Sequence, residues 1–136
     1  MAFIRKWAVI GGLLLGLLYF TGYVGGPVGG EVVSLRTFDA RGIGSDTSLW
    51  IVDVDGKQYL RSGRSGSDWL GRLIAQPRVQ MTRNGETHDY DAVIVPTRRE
   101  FVNGRIAEKY GVAAIVIGWA IDPAETVPVR LDRASD

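Results

Sequence analysis

Residues 49–61 read LWIVDVDGKQYLR, and this stretch decides the kind of fold the chain adopts. Leu49 to Val54 is rich in β-branched and aromatic side chains and has high strand propensity. Asp55-Gly56 follows, a dipeptide suited to the two-residue turn that needs positive φ at both central positions. Gln58 to Arg61 then returns as a second strand. Strand, tight turn, strand is a hairpin.

The same grammar repeats on either side. Upstream, Val32, Val33, Leu35 and Phe38 lie in another strand-prone run. Downstream, Val79 to Arg83 and Thr87 to Val95 flank Asn84-Gly85, the strongest short turn signal. Thr126 to Leu131 alternates Val127, Val129 and Leu131 on one face. Six short strands joined mostly by tight turns predict a mainly β fold, a closed or nearly closed antiparallel barrel. Helices interrupt it. Ser67 is placed to cap a helix over Asp68–Gln76, with Leu70, Leu73 and Ile74 on one face and Pro77 as the stop. Thr97 and Glu100 have capping-box spacing for a helix from Arg98 to about Tyr110. Phe101, Val102 and Ile106 give that helix an apolar side, and Gly111 can end it. Val112 to Ile121 is too short to span a bilayer and reads as a second buried helix on the barrel, with a strand as the alternative.

The chain has 136 residues, 46% hydrophobic and 23% charged, which is a single-domain length and a globular composition. With no cysteine and one histidine, disulfides, thiolate zinc and multi-histidine metal sites are excluded. A formal charge of +1 gives no electrostatic case for nucleic acid as a partner. The averages hide a division: residues 1–30 carry eight of the 18 glycines and only Arg5 and Lys6 as charges, whereas all 15 acids lie after them.

Trp7 to Val24, WAVIGGLLLGLLYFTGYV, contains no Asp, Glu, Lys or Arg. As a helix it would span about 27 Å, close to the hydrocarbon core of a bilayer. Trp7, Tyr19 and Tyr23 stand where interfacial aromatics are favoured. The run is also the length problem for a cleaved signal peptide, whose apolar core is shorter and ends at small residues. Residues 1–24 are therefore expected to be an uncleaved single-pass anchor, residues 25–30 (GGPVGG) a tether, and residues 31–136 the folded domain. Arg5 and Lys6 favour a cytoplasmic N-terminus, with membrane lipid as a partner. Gly12 and Gly16 have a spacing that permits two such helices to meet.

The chemistry concentrates in residues 59–72, YLRSGRSGSDWLGR. A strand ends at Arg61, a Gly- and Ser-rich loop follows, and a helix begins at Ser67. Unpaired helix N–H groups, loop amides and hydroxyls, with Arg61, Arg64 and Arg72, are what a phosphate monoester requires. An ordinary capped loop with solvated arginines has the same spelling. No dinucleotide or Walker fingerprint is present. His88, Asp89 and Asp91 read as the wet side of a strand, Trp50, Trp69 and Trp119 as core by default, and no nucleophile-elbow context supports hydrolysis.

Three segments, SLWIVDVDGKQYLRS, SDWLGRLIAQPRVQMTRNGETHDYDAV and EKYG, together resemble the flavin-binding split barrels. These are the pyridoxamine 5′-phosphate oxidase-like proteins, and the chain is most similar to the nitroreductase/quinone reductase group that uses flavin or deazaflavin. The resemblance implies a six-stranded antiparallel split β-barrel and an FMN or deazaflavin coenzyme. It further implies a homodimer and an oxidoreductase, membrane-anchored here and facing a quinone-like small molecule. It points to Arg61, Ser62, Ser65, Ser67 and Arg72 for the cofactor phosphate, with Arg64 standing where a lysine is often found. Thr47, Ser48, Leu49 and Trp50 would edge the ring system. The absent lysine favours a second reading, a tethered binding or structural module that kept the barrel and lost the cofactor. No catalytic residue and no metal ligand is assigned.

Overall fold

The computed structural model describes residues 31–134. Six strands form a closed, wholly antiparallel barrel: β1 (Val32–Phe38), β2 (Gly44–Val54), β3 (Lys57–Ser62), β4 (Arg78–Arg83), β5 (Glu86–Ile94) and β6 (Val127–Arg133). Their order around the barrel is β1-β2-β3-β6-β5-β4, and β1 closes the ring against β4. Both expected two-residue turns are present. Asp55 and Gly56 have φ 51° and 76°, Asn84 and Gly85 53° and 78°, the geometry that matches strand twist.

Strand alternation divides the apolar residues between two cores. Val33, Leu35, Ile51, Leu60, Val79, Met81, Val129 and Leu131 point inward. Helix α1 (Asp68–Ala75) adds Trp69, Leu70 and Leu73 to that cluster. The outward side of β2 and β3 presents Val52, Val54 and Tyr59, which pack on Val102, Ile106 and Tyr110 of helix α2 (Arg99–Tyr110). A hairpin buried on both faces explains why LWIVDV is nearly continuous apolar sequence. The Tyr110 hydroxyl, fully buried, accepts the Ile51 N–H at 2.8 Å and lies 2.6 Å from the Glu31 carbonyl oxygen. Each such bond, left unmade in a buried setting, costs about 1–3 kcal/mol.

Ions close one mouth of the barrel. Arg83 continues the inward series of β4 and grips the Glu31 carboxylate at 2.8 and 2.9 Å and that of Asp53 at 2.7 and 2.9 Å. Gln58 accepts from the same guanidinium, and Lys109 adds a 2.9 Å contact to Glu31. Arg83 holds both carboxyls below their ordinary range, against the opposing effect of burial.

Local signals misled where burial depends on tertiary contacts. Ile74 is exposed and Trp69 takes its place in the core. The Thr97–Glu100 capping box does not form: Pro96–Arg98 is a 3-10 turn, and α2 begins at Arg99 without a side-chain cap. Phe101 is exposed, flanked by the guanidiniums of Arg98 and Arg105 at 5.5 and 5.8 Å. Gly111 ends α2 at φ 53° as expected. Helix α3 (Val112–Gly118) does form, but it is not the buried helix expected: Val112, Ile115, Val116 and Trp119 face outward. The single-pass membrane localisation is likewise corrected. Among the described residues no helix is long and apolar enough to cross a membrane. Apolar α3, at seven residues, reaches only about 10 Å. The anchor and tether assigned to residues 1–30 lie outside the described residues.

The ionic mouth makes stability fall in acid. Glu31 and Asp53 have folded pKa values below the ordinary 4.5 and 3.8, so the unfolded chain binds more protons and the stabilisation fades as pH drops through and below that range. Urea midpoints between about pH 7 and pH 3 should show this fall. Arg83→Met should be less stable at pH 7 and show a shallower acid decline; a parallel decline would mean that other carboxyls carry it.

Candidate functional site

Beside α2, residues of β2 and β3 help line a cleft of about 140 Å³. Ser48, Leu49 and Trp50 come from β2, Arg61 from the end of β3, Gly63 from the loop after it, and Ile106 from α2. Ile117 of α3 and Ile121 beyond it form the remaining wall. Gly63 permits close approach here, since a Cβ would stand 3.3 Å from Ile121 Cδ1.

Among the described residues, Arg61 is the only charged one that lines the cleft. Its Nη1 donates to Asn103 Oδ1 at 3.1 Å, and among the described residues it has no carboxylate partner. Burial alone pushes its pKa below the usual guanidinium value. A cation withdrawn from solvent is normally paired; half-buried Arg61 faces the neutral Asn103 oxygen instead. Trp50 stacks on Tyr110 with ring centroids 4.2 Å apart and planes 13° from parallel. Its Nε1–H is buried and meets no acceptor among the described residues.

The other residues singled out in the sequence are distributed differently. Thr47 lies three residues before Trp50 on β2, paired with Leu35 and half-buried. Ser62 is buried, and its hydroxyl bonds the Arg64 carbonyl and the Ser67 hydroxyl. Ser67 also donates to the Arg64 carbonyl at 3.1 Å and makes no side-chain cap to α1, although it occupies the N-cap position. Arg64 and Ser65 are exposed on the loop. Arg72 is on α1, where its Nε donates to the buried Thr37 hydroxyl at 2.7 Å; it does not line the cleft. The loop hydroxyls thus tie the loop to itself, and Arg72 ties α1 to β1.

Sequence reasoning missed the far wall. Asn103, Ile106, Ile117 and Ile121 approach from elements remote in the chain. The signal available was spacing: Asn103, which touches the cleft residue Arg61, is three before Ile106 on one helix edge, while Ile117 and Ile121 stand four apart. His88 is on β5 with its Nδ1 2.6 Å from an Arg133 nitrogen, away from the cleft lining.

Solved structures share this fold. HutZ, the heme storage protein from Vibrio cholerae, is 18% identical with a TM-score of 0.61, over 77% of this chain and 82% of its own. An F420-H2-dependent reductase, FDR-A, is 18% identical with a TM-score of 0.60, over 74% of this chain and 93% of its own. A Listeria innocua protein described as a pyridoxamine 5′-phosphate oxidase is 11% identical, TM-score 0.59, over 76% and 84%. The chain is thus a split barrel of the architecture shared by pyridoxamine 5′-phosphate oxidase-like and F420-dependent reductase proteins. At these identities the likeness is one of fold. No family model and no curated protein matches the sequence.

The loop accounting gives a direct check. Ser62→Ala removes the hydroxyl that joins Arg64 to Ser67 and should cost about 0.5–1.5 kcal/mol in urea unfolding. Ser65→Ala, exposed and outside that network, should change stability by less than about 0.5 kcal/mol. Equal effects would show that the network does not hold the loop.

Proposed function

We propose that the protein is an oxidoreductase that binds a flavin or deazaflavin coenzyme in the cleft between the β2–β3 hairpin and α2–α3. The observation that carries this reading is the half-buried guanidinium of Arg61, without a carboxylate partner among the described residues, beside Trp50 and Ser48. An aromatic and aliphatic lining suits a planar ring system, and one unopposed cation suits its phosphate. Fold likeness to F420-dependent reductases supports the same class. The coenzyme, when bound, supplies hydride or electron transfer. The chain's own part is to hold and shield it: Arg61 for the anionic group, Ser48 as a hydrogen-bonding edge, Trp50 and Ile106 to exclude water. Heme storage, the role named for HutZ, gains no support from this lining, which contains no histidine or cysteine.

Sites for molecules of drug size enclose about 300–1,000 Å³, well above the volume of this cleft. A second copy is proposed to supply the rest. Ile117 lines the cleft, while Val112, Ile115, Val116 and Trp119 of the same segment are exposed, so a homodimer over α3 would cover apolar surface and deepen the site together. A non-catalytic module remains the second reading, favoured by the engagement of Ser62 and Ser67 with the loop itself.

Titration of FMN and a deazaflavin coenzyme into wild type, Arg61→Ala and Arg72→Ala tests the reading. A lost charge-assisted phosphate contact contributes about 1.5–3 kcal/mol, so Arg61→Ala should bind roughly tenfold to a hundredfold more weakly. Arg72→Ala should act first on melting temperature, through the lost Thr37 bond. A wild type that binds neither coenzyme leaves the non-catalytic module.

Sedimentation tests the assembly. Wild type should run as a dimer, and Trp119→Asp should shift it toward monomer and lower its melting temperature in a concentration-dependent way. A monomer at every concentration removes the shared-site proposal.

A further inference from the structure

Arg61 owes its direction to one neighbour. Asn103 Oδ1 accepts from Arg61 Nη1 at 3.1 Å and lies 3.1 Å from the Thr126 hydroxyl, while Asn103 Nδ2 donates to the Pro123 carbonyl at 3.2 Å. The amide cannot face the other way, because its NH₂ would then oppose the five donors of the guanidinium. Thr126 is fully buried, and Arg99 fixes the same turn by donating to its carbonyl at 2.7 Å. The anchor that aims Arg61 is therefore rigid, and it is neutral. Aspartate has a similar shape and would make a charge-assisted pair with Arg61 in a half-buried setting, where such pairs are strong, though it would lose the bond to the Pro123 carbonyl. The chain places an amide there instead, and the positive charge is left uncompensated beside the cleft.

We propose that Asn103 is the specificity-determining residue of the cleft: it positions Arg61 with a neutral oxygen, so that the cleft selects ligands carrying an anionic group. This inference rests on the cleft assigned under the proposed function, but it concerns which ligands the cleft accepts and not what reaction follows. A carboxylate at 103 would act as a built-in competitor for the guanidinium. Ligands with a phosphate should lose affinity, and ligands with the same ring and no phosphate should not.

The experiment compares full-length wild type, Asn103→Asp and Asn103→Ala, with FMN, riboflavin and inorganic pyrophosphate as probes. Binding is followed by fluorescence titration for the flavins and by melting temperature for pyrophosphate. Asn103→Asp should bind FMN roughly tenfold to a hundredfold more weakly than wild type, leave riboflavin affinity within about twofold, and lose the pyrophosphate-induced rise in melting temperature. Asn103→Ala, which loses the aim of Arg61 but not its charge, should bind FMN better than Asn103→Asp does. A purely structural role for Asn103 predicts that riboflavin affinity falls together with FMN affinity, so unchanged riboflavin binding beside weakened FMN binding is the diagnostic. If wild type binds neither flavin but is stabilised by pyrophosphate, and Asn103→Asp is not, the coenzyme reading fails and the anion selection stands. Equal FMN or pyrophosphate binding by wild type and Asn103→Asp overturns the inference. So does a wild type that responds to none of the three probes.

Discussion

Ile51 and Leu60 are committed to the barrel interior, so the alternating residues of the same hairpin, Val52, Val54 and Tyr59, would face water unless something covered them. Burial on both sides of β2–β3 is the constraint from which the rest follows. It demands α2, and α2 is locked there by the Tyr110 hydroxyl on the backbone of Ile51 and by Lys109, which donates to the Ile51 carbonyl at 2.8 Å. The cover is incomplete. Ser48, Trp50 and Arg61 lie along the edge of α2, Trp50 against Tyr110 and Arg61 against Asn103, and with Ile106 they line the cleft. One physical requirement thus produces the second core and the opening beside it.

The hairpins were legible because their information is local. Asp55-Gly56 and Asn84-Gly85 need only their own backbone to adopt positive φ, and the alternation of Val129 and Leu131 needs only a pleat. Burial of helices is not local, and there the sequence misdirects. Ile74 and Phe101 are as apolar as Leu73 and Val102, yet only the latter pair meet the barrel. Val112–Gly118 is apolar throughout and still faces outward. The capping-box spelling at Thr97 loses to Pro96, whose fixed φ starts a tighter turn first.

Legibility of the site divides the same way. Ser48, Leu49, Trp50 and Arg61 come together because they sit on adjacent strands, a consequence of hairpin register, Ile51 opposite Leu60. Ser62, Ser67 and Arg72 are the right residue types but have partners already, the Arg64 carbonyl for the two hydroxyls and Thr37 for Arg72. Asn103 gave little warning, since its partners Arg61 and Thr126 are distant in the chain. A cation's function depends on what fails to neutralise it, and that cannot be read from spacing.

Strand β6 joins two neighbours that nothing else connects, pairing Leu131 with Gln58 of β3 and Arg133 with Tyr90 of β5. Before it is in place, the other five strands make an open sheet in the order β3-β2-β1-β4-β5, with a bare strand at each side. Chains are made and begin to fold from the N-terminal end. A nascent chain therefore carries both unpaired edges, competent to pair with other chains, until Val127–Arg133 is released. The barrel's vulnerability to misassembly is timed by its last strand, which seals both seams at once.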